Sequence, residues 1–277
     1  MKQLNELTVE DIESMDYNNL ISVVRETNRV PGGFATLQEI ANVAGIRNCT
    51  RVLEIGTSTG ISAIEMVRIT GCKIESIDIN ERSIQEASKR AKQEGLDPYI
   101  NFSVQDARNT SFDSESFQVV FCGNVTSLIP EREKALEEYY RLLAPGGFLS
   151  AVPMYYIEIP SEKLISDVRR AIQTDVEACD KKYWLDFFKH SNLCYKYVRD
   201  YKFDYIPDKK LEEFIAYILG KPHLKALKDD TYDALKKKYT EYIYLFRDNL
   251  SYMGYSIILL SKEINNDEPE LFTGSRI

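Results

Sequence analysis

The chain has 277 residues, enough for one sheet-and-helix core and a modest helical addition. Its formal net charge of −8 and isoelectric point near 5.1 argue against a nucleic-acid partner, which needs a basic groove. Five cysteines without a C-x-x-C pair point to reduced thiols rather than a disulfide framework. Residues 1–5 carry no apolar signal region, and no apolar run approaches a membrane span, so the expected setting is the cytoplasm with no membrane partner.

Residues 8–27 pattern as two short amphipathic helices, with Asp16 or Ser14 as the break. Pro31-Gly32-Gly33 then makes a turn ahead of a helix from Leu37 to Ala44. Val52, Leu53 and Ile55 form a short apolar run, as expected of a parallel strand covered on both faces. It runs into Gly56-Thr57-Ser58-Thr59-Gly60, where the glycines let the backbone turn sharply and a ligand come close. The following helix has Ile61, Ile64 and Val67 on one stripe, stops at Gly71, and points free N–H groups back at the turn.

Lys73 to Ile79 is a second strand with Asp78 at its C-terminal end, about where a ribose-binding acid is expected after such a turn. Asn80 caps a helix whose buried stripe is Ile84, Ala87 and Ala91 and which ends at Gly95. A third strand, Ile100 to Val104, delivers Gln105-Asp106-Ala107 to its C-terminal edge. Phe117 to Cys122 is a fourth strand, Glu131 to Leu143 a helix started by Pro130, and Phe148 to Val152 a fifth strand. Helices are then expected over Glu162 to Cys179 and Tyr183 to His190, with a sixth strand from Leu193 to Tyr205. Two more helices follow, one around Leu211 to Leu219 and a long one from Tyr232 to Leu250, before a last strand, Tyr255 to Leu260. The polar tail from Asn265 is expected to fray.

Three chemistries compete for the glycine turn. The spelling G-x-S-x-G is that of a hydrolase nucleophile elbow, with Ser58 as nucleophile. The chain's two histidines, His190 and His223, and the position of Ser58 in the first strand–helix unit argue against it. A nicotinamide dinucleotide wants G-x-G-x-x-G for its pyrophosphate, and the middle glycine is missing. A nucleoside-like cofactor suits the turn best.

Five segments in order, Val52–Gly60, Asp78, Gln105-Asp106-Ala107, Ser116–Val120 and Arg141–Gly147, resemble the class I S-adenosylmethionine-dependent methyltransferases, close to the ubiquinone/menaquinone-methyltransferase-like group. The resemblance covers about residues 30–153, and Ser58 stands where the family usually has glycine. It implies an α/β fold: a Rossmann-like, seven-stranded, mostly parallel sheet of order 3-2-1-4-5-7-6 with a helical lid. The corresponding division is an N-terminal helical cap (1–35), a cofactor-binding core (36–153), lid helices with the last two strands (154–263) and a flexible tail (264–277).

The resemblance also implies S-adenosylmethionine as cofactor. Glu54, Gly56, Thr57, Ser58 and Gly60 would hold its methionine portion, Asp78 and Ile79 its ribose end, and Asp106 and Ala107 its adenine, with Asn124 nearby. Residues just after strands four and five would face a small-molecule acceptor with an oxygen, nitrogen or carbon nucleophile, which nominates Asn124, Thr126, Tyr155, Tyr156 and Glu158. No metal is expected, although a thiolate metalloid site as in arsenite methyltransferases stands as a minor alternative, and a homodimer is admitted. Two other classes stay open: a non-catalytic cofactor-binding or interaction subunit, and a nicotinamide-dependent oxidoreductase.

Overall fold

The computed structural model describes residues 2–174 and 177–264, so the expected tail lies outside the described residues. Five parallel strands make the centre: β1 (Arg51–Ile55), β2 (Lys73–Asp78), β3 (Ile100–Val104), β4 (Phe117–Cys122) and β5 (Leu143–Ala151). A short β6 (Met154–Tyr156), β7 (Cys194–Lys202) and β8 (Met253–Ser261) complete the sheet. Its order is β3-β2-β1-β4-β5-β8-β6, with β7 on the other side of β8.

The expected topology therefore holds, with one addition. β8 runs antiparallel between β5 and β7, as the order 3-2-1-4-5-7-6 requires. β6 is the extra strand, and it pairs with β8 just beyond the end of β5. Val152 and Pro153 interrupt the chain there, and proline has no N–H to continue a ladder.

Alternating side chains send the two faces of the sheet into different cores. Val52, Ile74, Val119 and Ile257 pack with α3 (Gly33–Val43) and α4 (Ile61–Thr70), and Ala91 of α5 (Glu81–Gln93) joins them. Leu53, Ile55, Val120, Ile258 and Leu260 pack instead on α6 (Arg132–Leu142) and α8 (Lys181–Lys189), where Trp184 and Phe188 are buried.

A third core is purely helical. Ile12 of α1 (Val9–Ser14) and Leu20, Val23 and Val24 of α2 (Tyr17–Val24) meet Leu211, Ile215 and Ile218 of α9 (Asp208–Leu219) and Leu235, Tyr239 and Ile243 of α10 (Asp229–Leu250). The break between the first two helices is Asp16, whose carboxylate caps α2 by accepting from the Asn19 N–H. N-terminal and inserted helices thus form one layer, which their separate patterns in the sequence did not foretell. α7 (Glu162–Ile172) is shorter than the helix expected to reach Cys179: Gln173 turns left-handed at φ 50° and ends it.

Candidate active site

A cavity of about 770 Å³ opens along the C-terminal ends of the parallel strands, the edge at which open α/β sheets hold ligands. Gly56, Thr57 and Ser58 form its floor, Asp78 and Ile79 one wall, and Asp106, Ala107 and Arg108 the wall beyond. Asn124, Met154 and Tyr156 lie at the other end, beneath α7 and the last turn of α10. Residues 28–32 and Tyr17 complete the lining from the N-terminal side.

The glycine loop is held from below by two carboxylates. Glu54 is buried in β1 opposite Ser76 and accepts hydrogen bonds from Ser76 Oγ at 2.6 Å and Thr57 Oγ1 at 3.0 Å. Burial outweighs those bonds and pushes its pKa up to about 7. Asp78 accepts from the Ser58 N–H at 2.9 Å through one oxygen and from the Asn80 N–H at 2.9 Å through the other. Burial raises its pKa as well, against the lowering by those backbone bonds. Ser58 needs this support, because its φ of 48° is left-handed, a conformation that glycine takes without strain.

Gly56 shows why the loop has no side chain at its first turn. Its φ is 77°, and a Cβ there would lie 2.6 Å from Val125 Cγ2. Gly60 does a different task from the one expected. It caps α4 at φ 80° against Ala87 and does not line the cavity.

Asp106 does reach the cavity, but Arg108 grips it through Nη2 at 2.6 Å and Nε at 3.0 Å, which lowers its pKa. Arg108 in turn reaches Glu131 at 3.1 Å. Asn124 lines the cavity and accepts the Met154 N–H at 2.9 Å, fixing the start of β6. Ile79, 73% exposed, offers an apolar side chain on the rim beside Asp78.

The acceptor-side nominations divide. Tyr156 lines the cavity, and its hydroxyl donates to Asn249 Oδ1 at 2.7 Å. Tyr155 does not: alternation along β6 turns it into the core under α8, where its hydroxyl lies near Ser256 and Asp200. Glu158 is exposed past the end of β6 and off the cavity. Thr126 is buried against Cys122 and Tyr139, also away from it. His190 sits past α8 with Nδ1 2.8 Å from the Asp186 carbonyl, at the helix C-terminus where a dipole role places it.

Several cavity residues escaped the sequence reading. Ile165, Val168 and Ile172 of α7 line the cavity, while Ala171 is buried away from it. Arg132, Arg169, Phe203, Phe246, Asn249 and Met253 join them. The only available signal was the position of Arg132 just after the Pro130 helix start, at the sheet edge that binds ligands.

The donor set suits a nucleoside-type cofactor: a carboxylate at the end of β2, an exposed apolar side chain next to it, and a glycine loop whose N–H groups lie against the sheet edge. Among the described residues, no helix is long and apolar enough to cross a membrane.

Comparison with known proteins agrees. Residues 52–147 match the family described as "Methyltransferase domain". An uncharacterized protein of Haemophilus influenzae is 26% identical over 178 residues, 64% of this chain and 71% of its own length. A sterol 24-C-methyltransferase of Kluyveromyces lactis is 33% identical over 108 residues, 39% of this chain and 29% of that relative, so the likeness there is to part of a longer protein. In fold, the crystal structure of MccD protein superposes with a TM-score of 0.70 at 23% identity, covering 85% of this chain and all of that one. A geranyl diphosphate methyltransferase solved with its S-adenosylmethionine has a TM-score of 0.57 at 17% identity, covering 83% and 85% of the two chains. The match at residues 52–147 shows a methyltransferase domain over that segment, and the solved structures share the fold of the chain around it.

Proposed function

We propose that the chain transfers the methyl group of S-adenosylmethionine to a small-molecule acceptor bound under α7 and α10. The observation that carries this reading is the continuity of the cavity: one chamber runs from Asp78 and Asp106 past the glycine loop to Tyr156 and Asn249. When bound, the cofactor supplies a methyl group on a positively charged sulfur, which a nucleophile takes in line while the sulfur keeps the bonding pair.

In this reading Asp78 accepts the ribose hydroxyls with the lone pairs left over from Ser58 and Asn80, and Ile79 covers one face of the adenine. The loop from Gly56 to Ser58 carries the methionine portion, with Glu54 fixing it from beneath. Asp106 meets the adenine amino group only in competition with Arg108, so Ala107, through its backbone, is the steadier contact. Tyr156 and Asn249 orient the acceptor. The chain's contribution to rate is alignment and water exclusion, and ideal alignment alone is worth roughly 7–11 kcal/mol. The helices α7 and α10 act as the lid.

The finer placement, in the ubiquinone/menaquinone-methyltransferase-like group, rests on the five ordered segments alone. The five free cysteines support a reducing, cytoplasmic setting. A melting experiment tests the cofactor assignment: S-adenosylhomocysteine at about 100 times its dissociation constant should stabilise the protein by roughly 2.7 kcal/mol. Unaltered melting at millimolar ligand would overturn it.

A further inference from the structure

Arg132 is a sparsely bonded cation on the cavity wall. It opens α6, lines the cavity, and its side chain is 14% exposed. Two aromatic rings form a corner around it: the guanidinium lies 5.6 Å from the centroids of both Tyr183 and Trp184, which meet edge to face at 86°. Trp184 is itself fixed by its indole N–H on the Met154 carbonyl at 2.9 Å. A guanidinium held in this way is oriented in advance.

Its hydrogen bonds do not use that orientation up. Of five N–H donors, one reaches an oxygen at bonding distance among the described residues, the Tyr183 hydroxyl at 3.0 Å. The Glu177 carboxylate makes an ion pair with it at 3.6 Å, beyond hydrogen-bond distance, from a side chain that is 65% exposed. The thiol of Cys179, a weak acceptor, is the remaining neighbour. A cation withdrawn from water with one short hydrogen bond and one loose ion pair keeps donors to offer an anion entering from the cavity, and Glu177 marks a direction from which a carboxylate can approach.

Position decides which ligand supplies that anion. Asp78 and Asp106 follow β2 and β3, whereas Arg132 packs on Trp184 and through it on β6, at the far end of the sheet order. Glu131, the preceding residue, reaches Arg108, which holds Asp106, while Arg132 itself faces Tyr183 and Trp184. Arg169 of α7 lines the same chamber near Tyr156, whose pKa burial raises against smaller lowerings by Asn249 and Arg169. Ile165, Val168, Phe246 and Met253 supply apolar walls between these charges.

We propose that the acceptor is an amphipathic anion: an apolar body carrying a carboxylate or phosphate that binds Arg132. This rests on the methyltransferase reading of the same cavity. Guanidinium pairs with both anions bidentately, so the two arms of the test separate them.

The full chain, saturated with S-adenosylhomocysteine, is titrated calorimetrically with 3-phenylpropionate, phenyl phosphate and neutral 3-phenylpropanamide at constant ionic strength. At least one anion should bind tenfold or more tightly than the amide, and the tighter of the two names the group. Arg132→Met should erase that preference while leaving S-adenosylhomocysteine affinity unchanged, and Arg132→Gln repeats the test should the first variant misfold. Equal affinities for anions and amide, or no binding of either anion, in the wild-type protein overturn the proposal, as does a preference that survives both substitutions. Failure of S-adenosylhomocysteine to bind at the outset would instead overturn the methyltransferase reading.

Discussion

Thr59 donates its hydroxyl proton to the main-chain carbonyl of Glu26 at 2.7 Å, and Thr59 is fully buried. The Glu26 carboxylate accepts from Tyr239 of α10 at 2.7 Å, and the Tyr17 hydroxyl lies 3.4 Å away. One residue therefore joins the glycine loop, through its backbone, to the helical layer, through its side chain. Tyr17 also packs on Phe246 at a centroid distance of 4.4 Å, and both line the cavity. Loop and roof cannot shift independently without breaking this chain of contacts.

Thr59→Val keeps the shape and removes the donor, leaving a buried carbonyl unpaired. The expected cost is about 1–3 kcal/mol of stability, measured by urea denaturation, with weaker S-adenosylhomocysteine binding beside it. Stability equal to wild type would show that the bond contributes nothing.

Asp78 holds the Ser58 and Asn80 N–H groups and is proposed to accept the ribose as well, and two substitutions separate the two tasks. Asp78→Ala strips the acceptors from the Ser58 and Asn80 N–H groups as well as from the ribose. Asp78→Asn keeps one oxygen acceptor. Charged hydrogen bonds are worth roughly 1.5–3 kcal/mol, so Asp78→Ala should raise the S-adenosylhomocysteine dissociation constant at least tenfold. Asp78→Asn should fall between it and wild type. Unchanged affinity in a folded Asp78→Ala protein would leave Asp78 as a loop and helix-cap residue only.

Glu54 predicts a pH dependence of stability. Its pKa is raised from 4.5 to about 7 by burial, so the folded protein holds this proton more tightly than the unfolded chain. The resulting stability is fully present below about pH 4.5 and is lost as pH rises through about 7, on the order of 3 kcal/mol in all. Glu54→Gln does not titrate. Relative to wild type it should therefore gain stability progressively between pH 4.5 and 8, as read from denaturation midpoints across that window. Parallel stability curves would contradict this.

Two left-handed glycines separate backbone strain from steric conflict. A Cβ at Gly45 (φ 61°) meets nothing within 4 Å, so Gly45→Ala should cost only the dihedral penalty, roughly 1–2 kcal/mol. Gly56→Ala adds the collision with Val125 and should cost clearly more, with loss of S-adenosylhomocysteine binding. Equal melting temperatures for the two variants would count against the close approach at Gly56.

The sheet was legible because its strands are apolar runs closed by turn residues, and because Asp78 and Asp106 fall at strand ends by chain position alone. The cofactor half of the cavity is built from such local units. The half proposed for the acceptor is not: it is assembled from α6, α7, α10 and β6, whose pairing depends on long-range packing. Tyr155 and Tyr156 illustrate the limit, since which of two adjacent tyrosines faces the cavity is set by the register of β6 on β8. Gly60 likewise belongs to the same turn as Gly56, and only its contact with Ala87 shows that it serves helix packing.

Everything proposed for this cavity depends on its taking S-adenosylmethionine through the nucleoside end. Calorimetric titration of the full chain with S-adenosylmethionine, S-adenosylhomocysteine and NAD tests it most directly. The account predicts one saturable site for both sulfur nucleosides and no heat from NAD. Binding of NAD, with no heat from either sulfur nucleoside, would contradict it.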